Sequence, residues 1–200
     1  RKKGKPGRNG RFSGGNGQKS RHRSGRANSH SGKSGGLGAI VRQAQTLREQ
    51  GVVGEALELL APALADTTPE DAAKLEMARL KAAAGDPDAA IAWAGEIDDK
   101  GSEAVNAQLT IGNAYYSKGE FSRAVDGFSA VVRARPDSSV ALSNLANALG
   151  ELGRTEEGIE HAREAVDLRP EYAPGWSNLG ILLKEAGEPG EAETALRRAL

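Results

Sequence analysis

Gly51, Gly85, Gly119, Gly153 and Gly187 stand 34 residues apart, and a fixed period of that length constrains what this chain can fold into more than any other feature does. Three further columns keep the same spacing: Ala56, Ala90, Ala124, Gly158 and Ala192; Ala44, Ala78, Gly112, Ala146 and Gly180; and Ala63, Ile97, Val131, Ala165 and Ala199. A unit this short cannot bury an apolar face alone, so neighbouring units must stack and share one continuous core. The period starts near residue 37 and predicts five units, at about 37–70, 71–104, 105–138, 139–172 and an incomplete 173–200.

Within each period, apolar and small residues recur at helical spacing in two stretches. In the third unit, Ile111, Gly112 and Tyr115 mark one face of a first helix, and Ala124, Phe128 and Val131 mark one face of a second. Gly119 and its equivalents fall between the two helices, where a helix end needs a residue that reaches the left-handed region cheaply. Pro136 and Pro170 follow the second helices and stop them, because proline cannot extend the hydrogen-bond ladder. The small residues Gly112, Ala124, Ala146, Gly180 and Ala192, together with the turn glycines Gly153 and Gly187, are the predicted packing positions. A bulky side chain at the helix contact would force the pair apart at a cost of ~1–3 kcal/mol.

These residues carry a family resemblance. Trp176, Leu179, Gly180, Gly187, Ala192, Leu196 and Ala199, preceded by Pro170, resemble the tetratricopeptide repeat pattern, as do Ile111, Gly112, Tyr115, Gly119, Ala124, Phe128 and Pro136. The resemblance spans residues 37–200 and implies an all-α fold, a right-handed superhelical stack of helix hairpins. The first two units depart from it: Lys81 stands at an apolar position of the pattern, and Thr68 and Ser102 stand where later units have proline. Leu200 is expected inside the second helix of the fifth pair, on an apolar face with Leu196 and Ala199. Repeat arrays need a closing element with a solvated outer face, so the chain is expected to be a piece of a longer protein.

The resemblance implies that the first helix of each pair lines a concave groove that binds a peptide or protein segment. Its lining is expected to include Asn106, Thr110, Asn113, Tyr116, Ser143, Asn144, Asn147, Ser177, Asn178 and Lys184, with Asn113, Tyr116, Asn144, Asn147, Asn178 and Lys184 as the binding set. An amide both donates and accepts, so a row of them can hold an extended backbone irrespective of its side chains. This is similar to the asparagine ladder of protein O-linked glycosyltransferases. Asparagine also serves as a tolerated polar residue on a solvated face, yet it is a poor helix former, and its recurrence in columns favours a role. A basic clamp for a partner's terminal carboxylate, the family's other groove chemistry, is not expected, because Leu109 and Pro174 stand where it needs lysine.

Net charge is zero overall but sharply divided. Of 27 Lys and Arg, 11 lie in residues 1–36 with no acid, leaving 16 against all 27 Asp and Glu in residues 37–200, so the segments carry +11 and −11. Residues 1–36 also hold 10 of the 26 glycines and a single aromatic, Phe12. Such a segment cannot form a core and is expected to be a disordered basic arm. It could make weak, salt-sensitive, non-specific contact with nucleic acid or an anionic surface, or simply solubilise the chain. Ala27, Gly32, Lys33 and Ser34 satisfy a relaxed phosphate-loop pattern, but residues 18–26 cannot make the buried strand that such a loop leaves. Gly35 and Gly36 are expected to interrupt the helix that it enters.

No catalytic, metal or cofactor site is expected. The chain has no cysteine, which removes disulfides, thiolate ligands and a cysteine nucleophile. His22 and His30 fall in the arm and His161 on a second helix, none in a Ser–His–acid or metal-ligand spacing. Glu156–Glu157 and Asp98–Asp99 read as solvated surface, and Trp93 as packing. The sequence thus predicts a non-enzymatic interaction scaffold, expected in the cytoplasm of a bacterium, with the oligomeric state undetermined. Because Arg1 is not Met, an upstream signal stays open. The alternative is the substrate-recruiting region of a larger transferase, a sulfotransferase or glycosyltransferase, with its catalytic residues beyond Leu200.

Overall fold

A computed structural model describes residues 31–65 and 68–200, all of them helix or connection. The described residues form ten helices, which pair as α1 (Ser31–Glu49) with α2 (Val53–Ala65), α3 (Asp71–Ala83) with α4 (Pro87–Gly95), α5 (Ala104–Ser117) with α6 (Phe121–Ala134), α7 (Ser139–Glu151) with α8 (Thr155–Leu168), and α9 (Ala173–Glu185) with α10 (Pro189–Arg198).

Each pair turns at the periodic glycine. Gly51, Gly85, Gly119, Gly153 and Gly187 have φ of 80°, 80°, 74°, 73° and 82°, a region that costs other residues about 1–2 kcal/mol. The following residue then donates its N–H back to a carbonyl of the preceding helix, from Val52 to Leu47, Asp86 to Lys81, Glu120 to Tyr115, Arg154 to Leu149 and Glu188 to Leu183, at 2.8–3.0 Å. This bond satisfies a carbonyl that the helix end would otherwise leave unpaired.

The small-residue columns lie where the helices of a pair approach. A Cβ on Gly112 would stand 2.7 Å from the Phe128 ring, and one on Gly180 would stand 2.6 Å from Leu196 Cγ. Ala124 and Ala146 are fully buried and Ala192 nearly so. The first helices of successive pairs, α1, α3, α5, α7 and α9, pack closely against one another, whereas the backbones of the second helices stay further apart, α8 and α10 being joined by the ion pair of Arg163 with Glu191. The more closely spaced layer faces the inside of the curve, so the first helices line the concave face. The core runs between the layers as linked apolar clusters, with Trp93 packed against two of them.

Four expectations are corrected, the first being that Gly153 and Gly187 are packing positions: a Cβ on either would meet nothing within 4 Å, so they serve the turn alone. Helix α1 begins at Ser31 and runs through Gly35 and Gly36, inside the segment assigned to the arm; Leu37, Ile40, Val41 and Ala44 anchor it against the first cluster. A glycine costs a helix only about 1 kcal/mol, which that packing offsets. Residues 1–30, with most of the basic arm and the start of the phosphate-loop pattern, lie outside the described residues. Leu200 is not in the fifth pair's second helix: α10 ends at Arg198, Ala199 caps it, and Leu200 is exposed. Finally, α4 spans nine residues against fourteen in α6 and α8; where later units have proline, the stretch after α4 turns through Asp98 and Gly101, with Asp71 accepting from the Asp98 N–H at 3.3 Å.

Candidate functional site

The concave face of α5, α7 and α9 carries a row of hydrogen-bonded amides. Asn144 on α7 donates through Nδ2 to Asn113 Oδ1 on α5 at 2.9 Å, and Asn147 Nδ2 donates to the Tyr116 hydroxyl at 2.8 Å. That hydroxyl donates in turn to Glu151 Oε1 at 3.2 Å. On α9, Asn178 Nδ2 reaches back to Ser143, to its backbone oxygen at 3.2 Å and its Oγ at 3.0 Å. Asn113 and Asn144 therefore meet, as do Tyr116 and Asn147, while Asn178 meets Ser143 instead, and each of these bonds joins neighbouring pairs to each other.

Other members of the predicted lining sit differently. Ser143 is fully buried and Thr110 nearly so, because the first helices pack side by side and the residues facing a neighbour are covered. Thr110 donates to the Asn106 carbonyl at 2.9 Å, and Asn106 is itself held by Glu103 and Arg135, at 2.8 Å each. Ser177 is half-buried and Lys184 exposed in the last turn of α9. Leu109 is half-buried against the cluster around Phe128, and Pro174 opens α9, so neither position of a basic clamp carries a cation.

The sequence reading missed three groove-side features. Glu151 anchors the Tyr116 hydroxyl, and with Glu185 it forms a column 34 residues apart, a signal present in the periodicity. Ile181, one period beyond Asn147, is 46% exposed. Toward the other end, Arg48 Nε donates to Glu76 Oε1 at 2.7 Å between α1 and α3, although Glu76 is only 3% exposed. The Tyr116 phenol is raised above its ordinary pKa, first by its partial burial and then by the charge of Glu151.

Away from the groove, His161 on α8 lies 3.8 Å from Glu164. A cleft lined by Val166, Trp176, Leu183 and Ala195 opens between α8, α9 and α10, with Arg198 stacked 4.6 Å from the Trp176 ring centre. Among the described residues, no group of three or more His, Cys, Asp or Glu could hold a metal ion, and no helix is long and apolar enough to cross a membrane.

Helix hairpins stacked at a 34-residue period, glycine-turned and presenting a polar inner face, define an α-solenoid. Family models described as tetratricopeptide repeat match residues 109–173 and, with a second model, residues 72–96 and 173–198. The chain belongs to the tetratricopeptide repeat family. It is 33% identical over 89 residues to an Hsp70-Hsp90 organizing protein of Triticum aestivum, a match covering 44% of this chain and 15% of that protein. To a peroxisomal targeting signal receptor of Candida glabrata it is 30% identical over 93 residues, covering 46% and 16%. The chain thus spans about a sixth of these curated relatives. Among solved structures, MamA 41-end from Desulfovibrio magneticus RS-1 superposes with a TM-score of 0.68 at 21% identity, covering 82% of this chain and 92% of that one. Another, titled crystal structure of MamA, gives 0.65 at 17% identity over 78% and 91%. These structures share the fold.

Proposed function

We propose that this chain is a protein-interaction scaffold that holds an extended peptide segment in the concave groove of α5, α7 and α9. The amide row carries the reading. Asn113, Asn144, Asn147 and Asn178 stand mid-helix, where asparagine is unfavourable, and their recurrence on α5, α7 and α9 supports a shared role on the inner face. Peptide groups have one donor and one acceptor per residue, which a line of amides matches without requiring particular side chains. The curated relatives are named for receiving a targeting signal and for organising chaperones, and both names describe engagement of other polypeptides. Leu109 and Pro174 argue against capture through a terminal carboxylate.

The test starts from peptides selected from a displayed library against the full chain. Replacing Asn144 and Asn178 together with alanine removes two groove amides, each worth about 1 kcal/mol in a peptide contact, so affinity should fall about tenfold to thirtyfold. Circular dichroism would verify that the variant keeps its helices. Unchanged affinity in a folded variant would refute the groove as the binding site.

A further inference from the structure

Two amides of the groove, Asn147 and Asn178, are not free to turn either way. Asn178 approaches the backbone carbonyl of Ser143, which can only accept, so the atom facing it must be the NH2 group. At Asn147 the same conclusion follows through an intermediary. The Tyr116 hydroxyl gives its one proton to the Glu151 carboxylate, so toward Asn147 it can only accept, and Asn147 must present Nδ2 to it. Both orientations are fixed by acceptor-only groups rather than by a choice between nearly identical atoms. The carbonyl oxygens of Asn147 and Asn178 therefore point away from these partners. Neither oxygen has a hydrogen-bond partner among the described residues, and no buried side-chain oxygen or nitrogen there lacks one, so both oxygens reach solvent.

A second observation lies at the lip of the same groove. Glu151 on α7 and Glu185 on α9 are equivalent residues of successive units, and both are exposed. Gly150 lets α9 come close there: a Cβ on it would run into Leu182 Cδ2 and would lie 3.9 Å from Glu185 Oε2. Only Oε1 of Glu151 is engaged by Tyr116, so its other oxygen stays available. Lys184 is the cation of this lip, and it is adjacent in sequence to Glu185 rather than paired with either carboxylate among the described residues.

We infer that the groove is an acceptor-lined site selective for extended segments rich in donors, in which peptide N–H groups meet the Asn147 and Asn178 carbonyls and an arginine or lysine meets Glu151 and Glu185. Acidic segments are disfavoured at this end of the groove, because a ligand carboxylate would face the Asn147 and Asn178 oxygens and the Glu151 and Glu185 carboxylates. The inference rests on the groove being the peptide site.

The experiment titrates the isotopically labelled full chain with three versions of one ten-residue Gly/Ser/Ala peptide bearing two Arg, two Gln or two Glu, and follows the side-chain amide signals of Asn147 and Asn178. Reading these two residues keeps any contact of the basic arm with the acidic peptide out of the measurement. The Arg version should bind about tenfold more tightly than the Gln version, and the Glu version should give no saturable shift. In an E151Q/E185Q variant, where the new amide at position 151 can still accept from Tyr116, the Arg version should weaken to the level of the Gln version. Equal binding of Glu and Arg versions, or an Arg preference that survives in the variant, overturns the inference while leaving the groove as the peptide site. No shift with any of the peptides overturns both.

Discussion

Gly158 and Gly54 are both helical glycines, and the same substitution at the two positions should have opposite signs. At Gly158 on α8, an alanine Cβ would stand 2.9 Å from the backbone oxygen of Ala146 on α7 and 3.3 Å from Leu182 Cδ1. The carbonyl belongs to a helix and cannot swing aside, so the pair must separate, at about 1–3 kcal/mol. Alanine recovers up to about 1 kcal/mol of helix propensity, leaving G158A destabilised by about 1–2 kcal/mol at the tighter end of that range. At Gly54 on α2 the new Cβ meets nothing within 4 Å, so only the propensity gain of up to about 1 kcal/mol remains. For a chain of this size 1 kcal/mol moves the melting midpoint by about 2–4 °C. G158A should then melt about 2–8 °C lower and G54A up to about 4 °C higher. Circular dichroism reports the whole array. Trp176 fluorescence in a W93F background reports the α8–α9 cluster, which should loosen first in G158A because repeat arrays lose order through nearest-neighbour contacts. A G158A chain as stable as the parent would show that the α7–α8 contact has slack, and the packing argument for the whole small-residue column would fail with it.

Three other outcomes are expected. R48M should destabilise the chain by about 2–3 kcal/mol because it takes the close guanidinium from the buried Glu76 carboxylate and leaves it only Arg79, 4.0 Å away, whereas R154M, which breaks the exposed pair with Glu157, should change a urea midpoint by no more than about 0.5 kcal/mol equivalent. The Glu120 carboxyl is held below its ordinary pKa chiefly by the hydrogen bond from Lys118, and Glu157 likewise by Arg154. A lowered carboxyl adds stability above its ordinary pKa and loses it as pH falls through the lowered one. The melting midpoint should therefore hold near neutrality and drop below about pH 4.5, and K118M should make that drop shallower. Tyr116, raised above 10.0, has the opposite sign: its contribution is complete below that pH and is lost as alkaline titration proceeds. An ultraviolet titration should show E151Q moving this phenol back toward the ordinary value, with the part due to burial remaining.

The legible part of the fold is what repeats with period. Five glycines in one register predicted five left-handed turns, and each has positive φ, because hardly any other residue reaches that region without strain. Gly112, Gly158 and Gly180 were legible as contact positions for a similar reason, since few side chains leave that little space. The groove's wiring was not legible, because its bonds do not follow the period. Asn144 meets Asn113 and Asn147 meets Tyr116 at an offset of 31, Glu76 meets Arg48 at 28 and Asn178 meets Ser143 at 35. Those offsets are set by how far each unit is rotated against the last, a quantity no single repeat contains. The same holds for Ser143, which reads as groove lining in its own helix and is covered only once α9 is in place.

The relay from Asn147 through Tyr116 to Glu151 ties α5 to α7, and its oxygens exist in their orientation only while the two units keep their mutual angle. Pitch and ligand chemistry are thus one variable in this array. Straightening it would pull Nδ2 from the tyrosine hydroxyl and let the amide rotate, replacing an outward acceptor by a donor. A pull along the chain would change what the groove recognises before it changed whether the helices remain folded.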